Sequence, residues 1–294
     1  MDYPRPTQAV NSGADLAGEM AAALAAASIV FRDDEAYSKK LVKGAATVYA
    51  FARDGGRRRA YSSGNDYIQP YYNSSGYYDE YIWGATWLYY ATGNSSYITL
   101  ATEPGFSKHS KALLGIPDLS VLSWDNKLPA AMLLLTRYRI FLNPGYPYEE
   151  MLRMYHNTTE LNMCSYFQQF NVFNWTKGTY IRSCSLTMWL SDTICFNGSR
   201  ASNFNWIVFL FLVVFLMSFQ NFAGGMIQLN HGRPQPLQYV ANAAFLASLY
   251  VDYLNATRVP GFNCGPQFIS LDVLRNFATS QVAFSSESFC FRIE

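Results

Sequence analysis

Residues 76–94 read GYYDEYIWGATWLYYATGN and indicate the fold of this chain more clearly than any other stretch. The apolar and aromatic side chains recur every three or four positions, as the buried face of a helix requires; they are Tyr78, Ile82, Ala85, Trp87, Leu88 and Tyr89. Gly93 permits the left-handed backbone that closes a helix, so we expect the helix to end at Thr92-Gly93-Asn94. The same rings could instead stack on sugars, with Asp79, Glu80 and tyrosine hydroxyls bonding to sugar hydroxyls. Periodicity predicts the helix but leaves both uses open.

Helical patterns continue on both sides of this stretch. The predicted helices cover residues 15–31, 37–53, 96–111, 123–142 and 148 onward. Ser12 or Asp15 is the expected cap of the first, and Ser123-Trp124-Asp125 is the expected cap of the fourth. No stretch alternates with the period of two that is typical of a strand. The predicted fold class is therefore all-α, built from paired helices joined by loops.

Several segments together resemble a known family. Residues 77–94 are similar to the D-E-x-x-W-x-A-x-W-L-Y-x-A-T-G signature of glycoside hydrolase family 9, the inverting endo-β-1,4-glucanases. Four further segments agree in register: DLAGEMAAALAAASIVF (15–31), LSWDNK (122–127), FLNPGYPYEE (141–150) and IQLNHGRPQPLQYVANAAFL (227–246). The sequence HGRPQPLQYV resembles that of the membrane-anchored plant branch of the family, the KORRIGAN type. The resemblance covers residues 2–177 and 225–281 and implies an (α/α)6 barrel that lacks amino- and carboxyl-terminal parts.

The resemblance also implies a function. It predicts hydrolysis of internal β-1,4-glucosidic bonds of cellulose-like glucans with inversion, which needs an acid and a base whose carboxyls lie ~6.5–9.5 Å apart. In the family the base lies in an amino-terminal D-A-G-D motif, and the acid is a Glu near the carboxyl end, after an H-x-R motif. These 294 residues contain neither D-A-G-D nor that carboxyl-terminal block. We therefore assign no catalytic residue and expect this chain to be inactive alone. The alternative is a non-catalytic glucan-binding or misfolded remnant of such an enzyme.

Other carboxylates do not replace the missing pair. Asp79 and Glu80 are adjacent, so on a helix their side chains point about 100° apart and cannot flank one bond; we expect them to make hydrogen bonds at the helix end. Asp15 and Glu19 are one turn apart, a spacing that also serves capping. Asp125 is expected in the first turn of a helix, where the dipole favours a carboxylate.

The substrate-binding candidates follow from the resemblance. The segment before the signature helix supplies sugar-stacking aromatics in the family, which points to Tyr71 and Tyr72. The segment with His231 and Arg233 corresponds to a loop that lines the glucan cleft in relatives, and Tyr239 corresponds to a subsite residue there. Trp124 is a further candidate, and for both Tyr239 and Trp124 a core role is equally open. A β-1,4-glucan is the expected partner.

Composition limits the other possibilities. The formal charge is +1, from 22 basic and 21 acidic residues, so nucleic acid is not an expected partner. No cofactor motif, zinc spacing or Asp-rich calcium loop is present, and we expect neither cofactor nor metal. Among five cysteines, Cys164 and Cys264 lie in family-like sequence and could form a disulfide, which the sequence alone does not establish.

Glycosylation sequons indicate the compartment. Six N-x-S/T sequons begin at Asn73, Asn94, Asn157, Asn174, Asn197 and Asn255 and favour a protein of the secretory pathway. The opening MDYPRPTQ contains neither signal peptide nor membrane anchor, so we interpret the chain as truncated at this end. The full-length relative is expected at the plasma membrane or cell wall, attached to the membrane only by an amino-terminal anchor that is missing here.

One internal segment departs from the family pattern. Removing residues 179–224 joins NWTKG to GMIQLN and restores an uninterrupted family-like sequence. The segment contains WIVFLFLVVFLMSF (206–219), shorter than the ~20 residues of a membrane-spanning helix. A uridine-rich tract before a splice site encodes such residues, so we interpret 179–224 as translated intron; a lineage-specific loop or a membrane hairpin are the alternatives. The domain prediction is a family 9 fragment at 1–178, this insert, the fragment continued at 225–281, and a non-family tail at 282–294.

Overall fold

A computed structural model of the chain describes residues 10–176, 225–229 and 236–290, and these residues are mostly helical. The helices are α1 (Ala14–Val30), α2 (Glu35–Arg53), α3 (Tyr78–Thr92), α4 (Ser95–Ala101), α5 (Pro104–His109), α6 (Leu128–Leu142), α7 (Glu149–Ser165), α8 (Pro236–Ala256) and α9 (Leu271–Cys290). Short 3-10 turns cover Pro117–Ser120 and Gln168–Phe170. The strands are β1 (Asn174–Trp175), β2 (Ile227–Gln228), β3 (Gly261–Cys264) and β4 (Gln267–Ser270).

The signature stretch forms α3 with the predicted boundaries. Its C-cap, Gly93, has a φ of 68°, the left-handed conformation that glycine adopts without a Cβ penalty. Its buried residues include Ile82, Ala85 and Leu88, which belong to the predicted inner face. Tyr81, assigned to no face above, is also buried, because α3 is surrounded by other helices on several sides.

Helices α1, α2 and α3 form the first layer of the fold. Small residues let α1 and α3 approach closely: a Cβ built on Gly18 would lie 2.7 Å from Glu80 Cβ, and one built on Gly84 would lie 3.1 Å from the Gly18 carbonyl oxygen. Helix α2 begins after Asp34, whose side chain accepts a hydrogen bond from Tyr37 N at 3.0 Å. The break between the first two predicted helices, 15–31 and 37–53, thus contains the N-cap of α2.

Helices α6 and α7 connect this layer to the carboxyl-terminal part. One buried cluster joins α1, α2, α3 and α4 to α6 and α7, and a second joins α6 and α7 to α8, α9 and the strands. A disulfide between Cys164 and Cys264 fastens the end of α7 to β3, with 5.6 Å between the Cα atoms. The pairing that the sequence left open is therefore present.

Three expectations about local structure were wrong. The segment 96–111 is two helices, because Pro104 begins α5 at a position that needs no backbone donor. Neither Ser12 nor Asp15 caps α1, since its N-cap is Gly13, with no side-chain cap bond. Residues 123–125 do not cap α6, which begins at Leu128 after Lys127.

The structure also contains short strands, which the sequence did not predict. Strands β1 and β2 pair antiparallel, with Trp175 opposite Ile227, and β3 and β4 form an antiparallel hairpin turned at Gly265, whose φ is 61°. Two to four residues are too few to display a period of two. Within the described residues no helix is both long and apolar enough to cross a bilayer. The apolar run 206–219 lies outside the described residues.

Candidate functional site

A fully buried carboxylate lies at the start of α1. Asp15 is 0% exposed, and its two oxygens accept hydrogen bonds from Tyr61 N and from the Tyr72 hydroxyl, each at 2.8 Å. Burial, the hydrogen bond to Asp15 and the negative charge of Asp15 raise the pKa of Tyr72 far above its usual range, so the hydroxyl remains a donor. Asp15 therefore anchors the loop before α3 and does not cap a helix.

Tyr72 forms an aromatic pair with Trp124. The ring centroids are 5.2 Å apart and the planes are inclined by 48°. Trp124 is 38% exposed and Tyr72 is half-buried, so the pair offers ring surface to a ligand while its inner side is packed. Tyr71, next in the chain, is 86% exposed. The structure thus brings together two of the substrate-binding candidates, Tyr72 and Trp124.

The loop that carries Trp124 is held by Lys127. The Lys127 ammonium donates to the carbonyl oxygens of Ser123, at 3.1 Å, and Trp124, and it forms an ion pair with Glu19 Oε1 at 2.9 Å. The Lys127 backbone N–H donates to Asp79 Oδ2 at 2.8 Å. Asp79 therefore binds a backbone donor that lacks a partner within α6, which confirms the hydrogen bonding expected of this residue at a helix end.

A second contact ties the two aromatic loops directly to each other. Asp125 Oδ1 accepts a hydrogen bond from Ser75 N at 2.8 Å. Asp125 precedes α6 by three residues, so its carboxylate does not act on the helix dipole as predicted. It connects the end of the Tyr72 loop to the Trp124 loop instead.

Glu80 is buried against α1. It is 1% exposed, and its Oε2 makes no hydrogen bond among the described residues. Burial raises the pKa of Glu80, and the adjacent Asp79 carboxyl raises it further. This environment favours the neutral form of the Glu80 side chain, which packs on Gly18. The expected helix-end hydrogen bonding holds for Asp79 but not for the Oε2 of Glu80.

Helix α8 meets the same region through its first turns. Asn242 donates from Nδ2 to the Leu122 carbonyl oxygen at 2.9 Å, two residues before Trp124. Tyr239 lies one turn earlier on α8 and is partly buried against the carboxyl-terminal core. His231 and Arg233 lie outside the described residues.

A separate buried network surrounds His156 on α7. Arg139 Nη1 lies 2.8 Å from His156 Nδ1, and because a guanidinium only donates, Nδ1 accepts and Nε2 carries the proton. The Nε2 faces the Tyr250 hydroxyl at 3.2 Å and Glu160 at 3.7 Å. Burial and the Arg139 charge lower the pKa of His156 to about 4. This network links α6, α7 and α8 and is structural.

The remaining candidates are the sequons and metal-binding groups. The side chains of Asn73, Asn94, Asn157, Asn174 and Asn255 are all exposed, while Asn197 lies outside the described residues. Across the described part of the chain, no group of three or more His, Cys, Asp or Glu side chains is arranged to hold a metal ion.

Sequence reasoning missed the residues that hold the aromatic pair. The sequence indicates Asp15 only as a possible cap and Glu19 only by its spacing, and it identifies neither Lys127 nor Asn242 as a contact to these loops. The spacing of Asp15 and Glu19, one turn apart at the start of a helix, was the available signal. It does not distinguish capping from contact with loops that lie far away in the sequence.

Comparison with known proteins supports the family resemblance. The sequence model of glycosyl hydrolase family 9 matches residues 1–285. The rice (Oryza sativa subsp. japonica) protein Endoglucanase 12 is 53% identical over 284 residues, which cover 97% of this chain and 38% of that protein. The chain thus spans less than two fifths of the length of this relative and of three others from rice and Arabidopsis thaliana.

Two solved structures are similar in fold. The catalytic domain of Clostridium thermocellum CelT has a TM-score of 0.60 at 18% identity, covering 93% of this chain and 43% of that one. The cellulase Cel9M of C. cellulolyticum in complex with cellobiose has a TM-score of 0.54 at 19% identity, covering 93% of this chain and 44% of that one. These likenesses confirm the predicted fold class, all-α and part of an (α/α)6 barrel.

Proposed function

The chain belongs to glycosyl hydrolase family 9, and from that membership we propose that it forms a glucan-binding wall of an endo-β-1,4-glucanase. Tyr72 and Trp124 are the proposed stacking residues, and Tyr71 and Tyr239 are proposed as further sugar contacts. His231 and Arg233, which precede α8 in the sequence, are proposed to complete the site. The substrate class is a cellulose-like β-1,4-glucan, and the reaction of the whole protein is hydrolysis of internal bonds with inversion.

The observation that carries this proposal is the fixed, partly exposed aromatic pair. A glucose ring in a β-1,4-glucan has apolar C–H faces, and a flat aromatic ring removes such a face from water. Two rings 5.2 Å apart and tilted by 48° offer a shaped surface that is already organised before a ligand arrives. Binding-site residues of this kind are commonly on loops that a rigid scaffold positions.

We further propose that the 294-residue chain binds glucan without hydrolysing it. Inverting hydrolysis requires two carboxyls placed on opposite sides of the scissile bond. Asp15 and Asp79 are buried and already accept hydrogen bonds from the protein, and Glu80 is buried against α1. Catalysis in the whole protein would then depend on carboxylates from the family's D-A-G-D and carboxyl-terminal blocks, which these residues do not contain.

Calorimetric titration with cellotetraose tests the binding proposal. Trp124→Ala should weaken binding about tenfold or more, as expected for an aromatic anchor. Tyr146→Ala is the matched control: Tyr146 is 95% exposed and follows α6, whereas Trp124 precedes that 15-residue helix, a separation of roughly 20 Å. Equal affinities for the wild type and Trp124→Ala would contradict the proposal, and aggregation of the wild type would favour the misfolded-remnant alternative.

An activity assay tests the second part. The chain should release no reducing sugar from carboxymethylcellulose under conditions in which it binds cellotetraose. Measurable turnover that disappears in a single carboxylate variant would show that the catalytic pair lies within these residues.

We also propose that residues 179–224 are translated intron. In support, Thr176 and Met226, on either side of the segment, are already paired: Thr176 N donates to the Met226 carbonyl at 2.9 Å, and Met226 N donates to Thr176 Oγ1 at 2.7 Å. Excision would leave Lys177-Gly178-Gly225 as a three-residue connection, a common hairpin loop length. Transcript reads that retain the codons for 179–224 would contradict this proposal; reads that join Gly178 to Gly225 would support it.

The cellular setting is likewise a proposal. We infer a secretory-pathway protein of the KORRIGAN type, acting at the plasma membrane or cell wall, and the exposure of all five described sequon asparagines supports it. Glycosidase treatment of the protein from its native source should lower its mass by several glycans. An unchanged mass would contradict the secretory assignment.

A further inference from the structure

Helix α1 carries two carboxylates that reach two different loops. Asp15 and Glu19 are one helical turn apart, so their side chains leave the same face of α1. Asp15 binds the hydroxyl of Tyr72 and the backbone N–H of Tyr61. Glu19 binds the Lys127 ammonium, which in turn binds the carbonyl oxygen of Trp124.

We propose that Asp15 and Glu19 are positioning residues that set the relative orientation of Tyr72 and Trp124 for a glucan. This inference rests on the glucan-binding function proposed above and adds to it the residues that hold the site in shape. Neither carboxylate is proposed to touch the sugar. Each acts through a partner: Asp15 through the Tyr72 hydroxyl, and Glu19 through Lys127.

Burial of Asp15 is the first argument. A carboxylate that is 0% exposed is costly to desolvate, and the cost is offset only where its oxygens are well bonded. Both oxygens of Asp15 bond to the loop that carries Tyr72, at 2.8 Å each. An apolar side chain would occupy the same space without the cost of desolvating a charge, so the role of the carboxylate is to hold the loop in place.

The second argument is that the two loops are also joined to each other. Asp125 on the Trp124 loop accepts from Ser75 at the end of the Tyr72 loop, and Asp79 holds the Lys127 backbone. With these bonds the rings have little freedom to reorient. A ligand then does not have to supply the free energy of ordering them, and affinity rises accordingly.

The test measures the affinity for cellotetraose by calorimetric titration, in variants that each change one functional group. Tyr72→Phe removes the hydroxyl but keeps the stacking ring, and Asp15→Asn replaces the charged partner with a neutral one of the same shape. Glu19→Gln removes the charge of a residue that is partly exposed, so it should fold readily. Thr136→Val is the control, because it removes one buried hydroxyl hydrogen bond, to Thr159 at 3.1 Å, in the interface between α6 and α7.

We expect Tyr72→Phe and Asp15→Asn each to weaken binding about fivefold, because Tyr72→Phe removes the hydroxyl donor and Asn has only one acceptor oxygen for the two donors that Asp15 binds. The double variant should be no weaker than about tenfold, since both changes weaken the same contact between residues 15 and 72. Glu19→Gln should weaken binding about two- to fivefold, as suits a partly exposed ion pair. Thr136→Val should lower the melting temperature but leave the affinity unchanged. That difference separates positioning from a general loss of stability.

The outcomes distinguish this inference from the proposed function. If the wild type binds and Trp124→Ala does not, yet Tyr72→Phe, Asp15→Asn and Glu19→Gln all bind like the wild type, the positioning role is overturned while glucan binding stands. If the wild type itself does not bind, both are overturned. Affinity losses of the same size in Thr136→Val would also overturn the positioning role, because stability alone would then explain them.

Discussion

The close approach of α1 and α3 at Gly18 predicts that the smallest possible enlargement destabilises the fold. In Gly18→Ala the new Cβ would lie 2.7 Å from Glu80 Cβ and 3.0 Å from the Glu80 carbonyl oxygen, whereas ordinary contact begins near 3.4 Å. Neither of these atoms is the end of a flexible side chain. The helices must therefore separate by about 0.7 Å.

The magnitude is a balance of two effects. Overpacking of this kind costs about 1–3 kcal/mol, while replacing a mid-helix glycine by alanine gains about 1 kcal/mol. Gly44→Ala in α2 is the matched control, because its Cβ would meet only Leu24 Cδ1, at 3.5 Å. Both variants gain the same helix-propensity stabilisation, so the difference between their free energies of unfolding gives the cost of the steric clash, about 1–3 kcal/mol.

Thermal unfolding followed by circular dichroism measures this difference. At roughly 2–4 °C per kcal/mol for a chain of this size, Gly18→Ala should melt about 2–12 °C below Gly44→Ala. Gly44→Ala itself should be as stable as the wild type or slightly more stable. A Gly18→Ala variant that melts with Gly44→Ala would refute the reasoning, since α1 and α3 could not then be in close contact at Glu80.

Three other predictions concern stability. His156 has a folded pKa of about 4, below its usual 6.5, so its neutral form stabilises the fold above pH 6.5 and this stabilisation is lost as the pH falls towards 4. The free energy of unfolding should fall by at most roughly 3 kcal/mol over this range. The raised pKa of Glu160 acts in the opposite sense and makes the decrease smaller. His156→Gln should flatten the melting temperature between pH 6.5 and 4, and an unchanged slope would count against the buried network. In the double variant Cys164→Ser, Cys264→Ser, the free energy of unfolding in urea should fall by up to about 4–5 kcal/mol, because the disulfide closes a loop with a sequence separation of 100. Either single variant should be destabilised as much as the double variant. A double variant as stable as the wild type would contradict the presence of the disulfide. Deleting 179–224 should preserve the melting temperature, whereas an equally long deletion of 183–228 removes β2 and should abolish folding. Equal melting temperatures for the two deletion variants would disprove the pairing of β1 with β2.

Much of the helical structure could be predicted from neighbouring residues. The three-and-four spacing and Gly93 placed α3 correctly, and the predicted second helix, 37–53, starts within two residues of the observed start of α2 at Glu35. The errors are at starts and breaks: Pro104 splits one predicted helix, and α6 starts later than its expected cap. Helix starts were misjudged because a residue that could cap locally, such as Asp15, can bond elsewhere when the fold offers a partner.

The sequence by itself determined the helical fold class, the family resemblance and the presence of aromatic residues that could bind sugar. These depend on local periodicity and on residue identity, which are read directly along the chain. Only the tertiary structure decided that Asp15 holds Tyr72, that Tyr72 meets Trp124 and that Cys164 bonds to Cys264. Each of these pairs joins residues about fifty or more positions apart, and the free energy that selects such partners comes from burial and hydrogen bonding after the helices have packed, which no local pattern specifies.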